Sequence, residues 1–422
     1  MKNFVFISFI FLIGCSKNDD LLPIPKPIII KDELVIENYN LIPKGYYIGK
    51  TSYELKTPYD KIINIDSIRK NFAILNKGLH NGTNNLGYCY VDLNNDGLED
   101  IFYPYSSDGK NNMRPDIFLN KGNKYIWDNS ILPDDYMGNQ VTRKTIVGDY
   151  NNDSLPDLFL CNSGWEDFNL KIFALEENTL LLSNKITGKY ELGKLPNIGK
   201  RFWHGAASGD LNGDKNIDII VTEGTYTEIL YGDGRGNFNN KLFEYKNGNG
   251  YITTEIIDVN KDGNNDIILA GDEGRPAPAI YSKSTIFWNN GNTFNMKTII
   301  CEPSTIGWGL VMDIILYDLD NDGINEILLN RTGDNTKTLY GGYNISIYKT
   351  NDNYNTFIDK SEQFIINNIS NQTMIGGWIT RMIVKKENEL LTINCDISPS
   401  TTTNYKPIVK RWIQNKQTFK FE

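Results

Sequence analysis

The sequence predicts an all-β chain folded as a β-propeller of four-stranded blades, with a cation-binding loop between the first and second strands of five of them. Two observations carry the prediction. A nine-residue acidic pattern, with Asp at position 1, Asn or Asp at 3, Asp at 5 and Asp or Glu at 9, occurs five times: DLNNDGLED at 92, DYNNDSLPD at 149, DLNGDKNID at 210, DVNKDGNND at 258 and DLDNDGINE at 318. Each copy precedes a short apolar run rich in β-branched residues (IFYP, LFLC, IIVT, IILA, ILLN), then a polar stretch and a hairpin pattern. A repeat of about this length that reads strand, loop, strand, long loop, strand, turn, strand is a propeller blade, because no single unit buries its own apolar faces.

Taken from the N-terminus, residues 1–14 hold one early Lys and an apolar stretch from Phe4 to Ile13, too short for a permanent membrane span and suited to the core of an export signal. Leu12-Ile13-Gly14-Cys15 resembles a bacterial lipobox. That resemblance implies cleavage before Cys15 and lipidation of its thiol, and Ser16 at the next position resembles outer-membrane sorting. Lys17, Asn18, Asp19 and Asp20 look like a surface-directing tether, and Pro23, Pro25 and Pro27 stiffen the remainder of residues 15–32 into an extended spacer. Residues 33–85 are expected to form a partial seventh blade or a cap, the blade being favoured; PYDKIINIDSIRKNFAILNKG within them reads as a helix. The propeller is expected over residues 86–422.

Composition narrows the partners. The net charge is −9 and no Lys/Arg run forms a phosphate-binding stripe, which argues against nucleic acid. Beyond Cys15, only Cys89, Cys161, Cys301 and Cys395 remain, too few for a disulfide scaffold, so buried free thiols are expected.

The acidic charge itself is accounted for by the loops. Side chains at positions 1 (Asp92, Asp149, Asp210, Asp258, Asp318), 3 (Asn94, Asn151, Asn212, Asn260, Asp320) and 5 (Asp96, Asp153, Asp214, Asp262, Asp322) of a tight turn converge on one point. Position 7 offers a carbonyl (Leu98, Leu155, Asn216, Asn264, Ile324), and position 9 closes the shell (Asp100, Asp157, Asp218, Asp266, Glu326). All the donors are oxygen, which selects Ca²⁺ over zinc, and the number of protein ligands favours it over Mg²⁺. Up to five structural Ca²⁺ ions are therefore expected. A solvated acidic turn is the competing reading. An EF-hand is excluded because it needs a Glu at position 12 and flanking helices, whereas Tyr103 and Leu160 stand at position 12 of the first two loops and strands flank all five. Position 6 is glycine in Gly97, Gly263 and Gly323 but Ser154 and Lys215 in the second and third loops, which are expected to bind more weakly.

A sixth unit appears once ligands are not required: WITRMIVKKENELLTIN reads as strand, turn, strand, and KPIVKRWIQNKQTFKFE as a closing hairpin. These loops and strands, for example SGDLNGDKNIDIIVTEG, resemble the FG-GAP and VCBS repeats of integrin-like propellers and of many bacterial surface proteins. The resemblance implies a calcium-stabilised propeller. It leaves function open among adhesion, lectin-like binding and polysaccharide-degrading scaffolds.

The propeller topology puts all five calcium loops on one face and the long connections on the other, where binding residues concentrate. Trp127, Trp288 and Trp412 fall in outer strands and are expected to be structural, with Tyr231 and Tyr348 matching Trp288. Trp165, Trp203, Trp308 and Trp378, with Tyr340, Tyr405, Tyr105, Tyr226 and Tyr343, are expected on the non-calcium face as an aromatic platform suited to a glycan, or else as plugs of the channel mouth. Small residues 205–209 read as close packing of inner strands, and the same register suggests a ring of Arg143, His204, Thr254, Asp313 and Arg381. His204, Arg143, Arg381 and Asp313 are the candidate catalytic set for a lyase-like reaction, although a structural histidine is the better reading of His204. The resulting expectation is a surface-exposed, outer-membrane lipoprotein that binds a glycan or protein ligand. The alternatives are a polysaccharide-active enzyme and a structural component of an envelope complex.

Overall fold

Strands that are apolar on both faces must be sandwiched between layers, and the second strand of each repeat shows what layers it. In the computed structural model the described residues are 33–34, 54–55, 87–104, 112–122, 125–167, 172–224, 226–243, 250–273, 283–291, 293–294, 296–301, 307–333, 340–350, 353–370, 377–385, 389–397 and 405–421. The chain divides into Met1–Ile30 and Lys31–Glu422, and all described residues belong to the second unit. The expected signal segment, Cys15, the tether to residue 32 and the helix after Pro58 lie outside them.

Two short strands, β1 (Glu33–Leu34) and β2 (Glu54–Leu55), come first. The first blade is β3 (Cys89–Val91), β4 (Asp100–Tyr103), β5 (Asp116–Asn120) and β6 (Tyr125–Trp127). The second is β7 (Thr142–Gly148), β8 (Asp157–Asn162), β11 (Thr179–Asn184) and β12 (Lys189–Leu192), with the hairpin β9 (Trp165–Asp167) and β10 (Ile172–Ala174) inserted between β8 and β11. The third is β13 (Gly205–Gly209), β14 (Asp218–Glu223), β15 (Tyr226–Gly232) and β16 (Phe238–Leu242). The fourth is β17 (Tyr251–Ile257), β18 (Asp266–Gly271), β19 (Thr285–Trp288) and β20 (Met296–Ile299). The fifth is β21 (Leu310–Tyr317), β22 (Glu326–Thr332), β23 (Asn344–Thr350) and β24 (Phe357–Asp359), followed by a one-turn helix α1 (Ser361–Phe364). The sixth is β25 (Trp378–Lys385), β26 (Glu389–Ile397) and β27 (Tyr405–Ile413).

Every residue of β4, β8, β18 and β22 is buried, whereas the outermost strands β12, β16 and β20 are largely exposed. The apolar clusters lie between consecutive sheets: blades one and two, two and three, three and four, four and five, and five and six each share a core. The inner strands β7, β13, β17, β21 and β25 are neighbours in that order. Sheets stacked in chain order around their first strands make the propeller that the repeat predicted.

Three details differ from the pattern read in the sequence. The two described pieces of residues 33–85 join existing sheets: β1 lies antiparallel to β6, with Glu33 opposite Ile126, and β2 lies parallel to β25, with Glu54 opposite Val384. The expected closing hairpin of the sixth blade is reduced to single bridges. After β27 the chain turns at 416–418, Gln414 bridges Phe421, and Phe421 packs beside Ile365 of the fifth blade. The third difference is a register shift near the start of four inner strands, between Thr142 and Lys144, Tyr251 and Thr253, Val311 and Asp313, and Ile379 and Arg381. A bulge of one residue moves everything before it to the other face. Counted from the loop end, Lys144, Gly205, Thr253, Asp313 and Arg381 therefore share one level, opposite Cys161, Thr222, Ala270, Asn330 and Ile393. The expected ring is corrected at Arg143, which sits in a bulge, and at His204 and Thr254, which are one residue off.

Candidate calcium loops and the opposite face

Each acidic nonamer joins the first strand of a blade to the second, as β3–β4, β7–β8, β13–β14, β17–β18 and β21–β22. The turn is knitted by its own carboxylates. The position 1 carboxylate accepts the N–H of residue 6 in all five loops, at 2.8 to 2.9 Å (Gly97, Ser154, Lys215, Gly263, Gly323). The position 5 carboxylate accepts the N–H of residue 7, from Leu98, Leu155, Asn216, Asn264 and Ile324. In the first four loops, the position 3 amide oxygen accepts the N–H of residue 5. These bonds turn the side chains at 1, 3 and 5 to the inside of one turn, and each oxygen keeps a second lone pair for a cation.

Position 9 is where the fold commits the most. Asp100, Asp157, Asp218, Asp266 and Glu326 are 0% exposed. In each, one oxygen accepts the N–H of loop residue 2: Leu93, Tyr150, Leu211, Val259 and Leu319. In the first four, the other oxygen accepts an N–H from the third strand or just beyond it, from Asn120, Ser183, Gly232 and Asn289. Burial, the dominant cause, pushes the Asp100 carboxyl up to about 8 and Asp157, Asp218 and Asp266 up to about 6, with neighbouring loop carboxylates adding to it. A carboxylate buried this way is costly when ionised unless a cation compensates it. The all-oxygen donors of the first four loops fit Ca²⁺.

The loops also join blades. Asn265 and Asn289 of the fourth blade donate their side-chain N–H groups to the carbonyls of Asp210 and Leu211 in the third loop, both at 2.9 Å, and Gln414 of the sixth blade donates to Leu319 of the fifth loop at 2.7 Å. Ordering a loop therefore orders an interface.

Backbone strain falls at two positions rather than one. Position 6 is left-handed throughout, including Ser154 (φ 70°) and Lys215 (φ 71°), and position 4 is left-handed as well: Asn95, Asn152, Gly213, Lys261 and Asn321. Only the second loop has no glycine at either position. The third has Gly213 with Lys215, and the fourth has Lys261 with Gly263. The expected ranking counted position 6 alone and missed this compensation.

On the opposite face, the described members of the expected aromatic platform do not present an open aromatic surface. Trp203 is 0% exposed, Trp308 9% and Trp378 5%. These indoles are core or near-core residues; they precede or open inner strands, where adjacent sheets converge. Tyr343 is buried as well, and Tyr340 rests on Trp378 with ring centroids 5.2 Å apart. Among the described residues of this group Tyr226 alone is open, 40% exposed, with the Arg201 guanidinium 3.5 Å from its ring centroid. Trp165, Arg381 and Tyr405 are strand residues whose side chains lie outside the described set, as does Tyr105 entirely. Among the expected structural residues, Trp412 is buried and Trp288 packs on Tyr354. Register puts Tyr231 beside Trp288, but Lys349, not Tyr348, at the same level of the fifth blade.

Of the candidate catalytic set, His204 and Arg143 meet at Phe202, and the Arg381 side chain lies outside the described residues. His204 Nδ1 lies 2.7 Å from the Phe202 carbonyl, and its ring packs on Phe202; Arg143 lies over the same Phe202 and donates to Ser163 Oγ. Asp313 is buried and accepts the Met382 N–H at 2.6 Å. Sequence reading also missed an axial ion pair. Lys144 of the second blade reaches Glu255 of the fourth at 3.9 Å, both buried, past the small residues of β13. Gly205 answers to a different contact: a Cβ there would come within 2.8 Å of the Ile252 carbonyl and of Thr253 Cα, so glycine lets β13 approach β17.

A polar cavity of about 790 Å³ opens on the fifth blade. Asn344, Ser346 and Tyr348 of β23 line one side, and Asp359, Lys360, Ser361, Glu362, Gln363, Asn368 and Ile369 line the other.

No curated protein matches the chain. Among solved structures it is similar to an Agrocybe aegerita lectin that recognises non-reducing terminal N-acetylglucosamine, at 16% identity and a TM-score of 0.42. The match covers 65% of either chain, so less than two thirds of the lectin is spanned. It is similar to a Lactobacillus plantarum protein at 11% identity, covering 76% of this chain and 80% of that one, with a TM-score of 0.45. It is also similar to an endo-1,4-beta-xylanase from Bacteroides thetaiotaomicron at 10% identity, covering 66% and 93%, with a TM-score of 0.39. Residues 258–329 match the family model described as FG-GAP-like repeat. That span runs from the fourth acidic loop through the fifth and into β22, so the FG-GAP-like match falls on the fourth and fifth repeats.

Proposed function

We propose that the protein is a calcium-stabilised, lipid-anchored propeller of the outer membrane, displayed at the cell surface, that binds a glycan without turning it over. The cavity on the fifth blade carries the binding reading. Its lining of amides, hydroxyls and carboxylates beside the Tyr348 ring supplies what a sugar needs, namely paired donors and acceptors with an aromatic edge. The calcium reading is supported by the oxygen donors and buried position 9 carboxylates of the loops. The anchor is Cys15, as its lipobox resemblance implies.

Array binding to glycans, with and without chelator, tests the proposal. Gln363 and Glu362 are exposed residues of the cavity rim. Gln363→Ala and Glu362→Ala are expected to weaken glycan binding about tenfold, the scale of one lost hydrogen bond to a polar ligand, with unchanged melting. Release of oligosaccharide products on incubation with polysaccharides would overturn the binding reading in favour of an enzyme. Unchanged affinity in both variants would move the site elsewhere.

A further inference from the structure

The fifth loop departs from the other four at three places that only the folded chain brings together. Position 3 is Asp320, where the others have asparagine, and position 9 is Glu326, where the others have aspartate. The third departure lies on another strand. Ile101 pairs with Phe118, Leu158 with Leu181, Ile219 with Leu230, Ile267 with Phe287 and Ile327 with Tyr348. The antiparallel register therefore sets Leu119, Leu182, Tyr231, Trp288 and Lys349 across from position 9. Four of these five are apolar or aromatic, and the fifth is a cation.

Lys349 Nζ lies 2.5 Å from Asp320 Oδ2, 2.7 Å from Asp322 Oδ2 and 2.8 Å from Glu326 Oε1, with its side chain 16% exposed. Those are the carboxylates of positions 3, 5 and 9, the oxygens that a metal ion would draw together. Oxygens of Asp318, Asp320 and Glu326 also lie within 4.8 Å of one another. An ammonium carries three N–H donors, and here three anionic oxygens stand around it at charge-assisted distances. A Ca²⁺ ion needs its oxygens at 2.3 to 2.6 Å, so one centred on the same groups would collide with Nζ. Asp320 and Glu326 suit the ammonium specifically: the first adds an anionic acceptor where an amide oxygen stands elsewhere, and the second reaches the strand that carries the lysine.

We infer that the Lys349 ammonium is the resident cation of the fifth loop, which therefore closes without metal, and that calcium sites are confined to the first four loops. The inference rests on the calcium reading of those four. It also corrects the expectation of five ions, in which Gly323 placed the fifth loop among the stronger sites.

Calcium bound per chain, measured by atomic emission after equilibrium dialysis of the full chain, tests it. Asp318→Asn is expected to leave the count unchanged, whereas Asp92→Asn in the first loop lowers it by one. Loss of one ion in Asp318→Asn overturns the inference. Lys349→Met is expected to gain one ion and, in excess chelator, to melt several degrees below the parent. An unchanged melting temperature in chelator overturns the ammonium's role, even if no calcium is bound by any variant. That last result would refute the calcium reading separately.

Discussion

Blades four and five share a buried ion pair whose removal has a calculable cost. Arg331 Nε donates to Glu273 Oε2 at 2.9 Å, and both side chains are 0% exposed. Glu273 Oε1 accepts Ser284 Oγ at 2.5 Å, the Ser284 N–H at 3.3 Å and the Cys301 thiol at 3.3 Å. Arg331 Nη2 also lies 3.1 Å from Cys301 Sγ, and the guanidinium lies 5.6 Å from the Tyr348 ring centroid. Burial, followed by Glu273, pushes the Cys301 thiol up to about 12, so it stays a neutral donor. Glu273→Ala strands a guanidinium in an apolar interface and is expected to cost about 3–5 kcal/mol. The joint variant Glu273→Leu with Arg331→Met removes both charges and keeps volume, so it is expected to recover all but about 1 kcal/mol of that loss. Urea unfolding followed by tryptophan fluorescence, in saturating calcium, reads the difference. A single-variant cost below about 1 kcal/mol, or a joint cost equal to the sum of the single ones, would refute the reasoning.

Three further outcomes follow from the loops and the core. In chelator, stability is expected to fall as pH rises from about 4 toward 8: Asp157, Asp218 and Asp266 titrate near 6 and Asp100 near 8 when folded, against an ordinary 3.8. A raised folded value stabilises below the unfolded value and is lost as pH climbs through the folded one. Thermal melts across that range, with and without calcium, check it; calcium should flatten or reverse the slope. Ser154→Gly relieves the left-handed strain at φ 70° and is expected to add about 1 kcal/mol and tighten the second site, as read by calcium titration. Trp203→Ala empties a fully enclosed indole site and is expected to cost about 3–5 kcal/mol with no direct effect on glycan affinity, so unfolding and array binding together distinguish core from platform.

The sequence by itself determined the features whose geometry is local. Nine consecutive residues contain the whole acidic turn, so its spacing, its oxygen chemistry and its place between two strands were legible, and the repeat of that turn gave the blades and their order. Tertiary structure decided whatever depends on which residue meets which across strands. A one-residue bulge near the start of four inner strands moved Lys144 to the level assigned to Arg143, and this cannot be read from alternation because a bulge changes phase without changing composition. Trp203, Trp308 and Trp378 have the same sequence signature whether they cap a face or fill a core; convergence of neighbouring sheets around the inner strands buried them. Lys349 lies more than twenty residues from the loop it neutralises, and only the register of β22 against β23 sets it opposite Glu326. Charge placed by strand pairing, added to Asp320 and Glu326 in the loop itself, separates the fifth turn from the four it resembles.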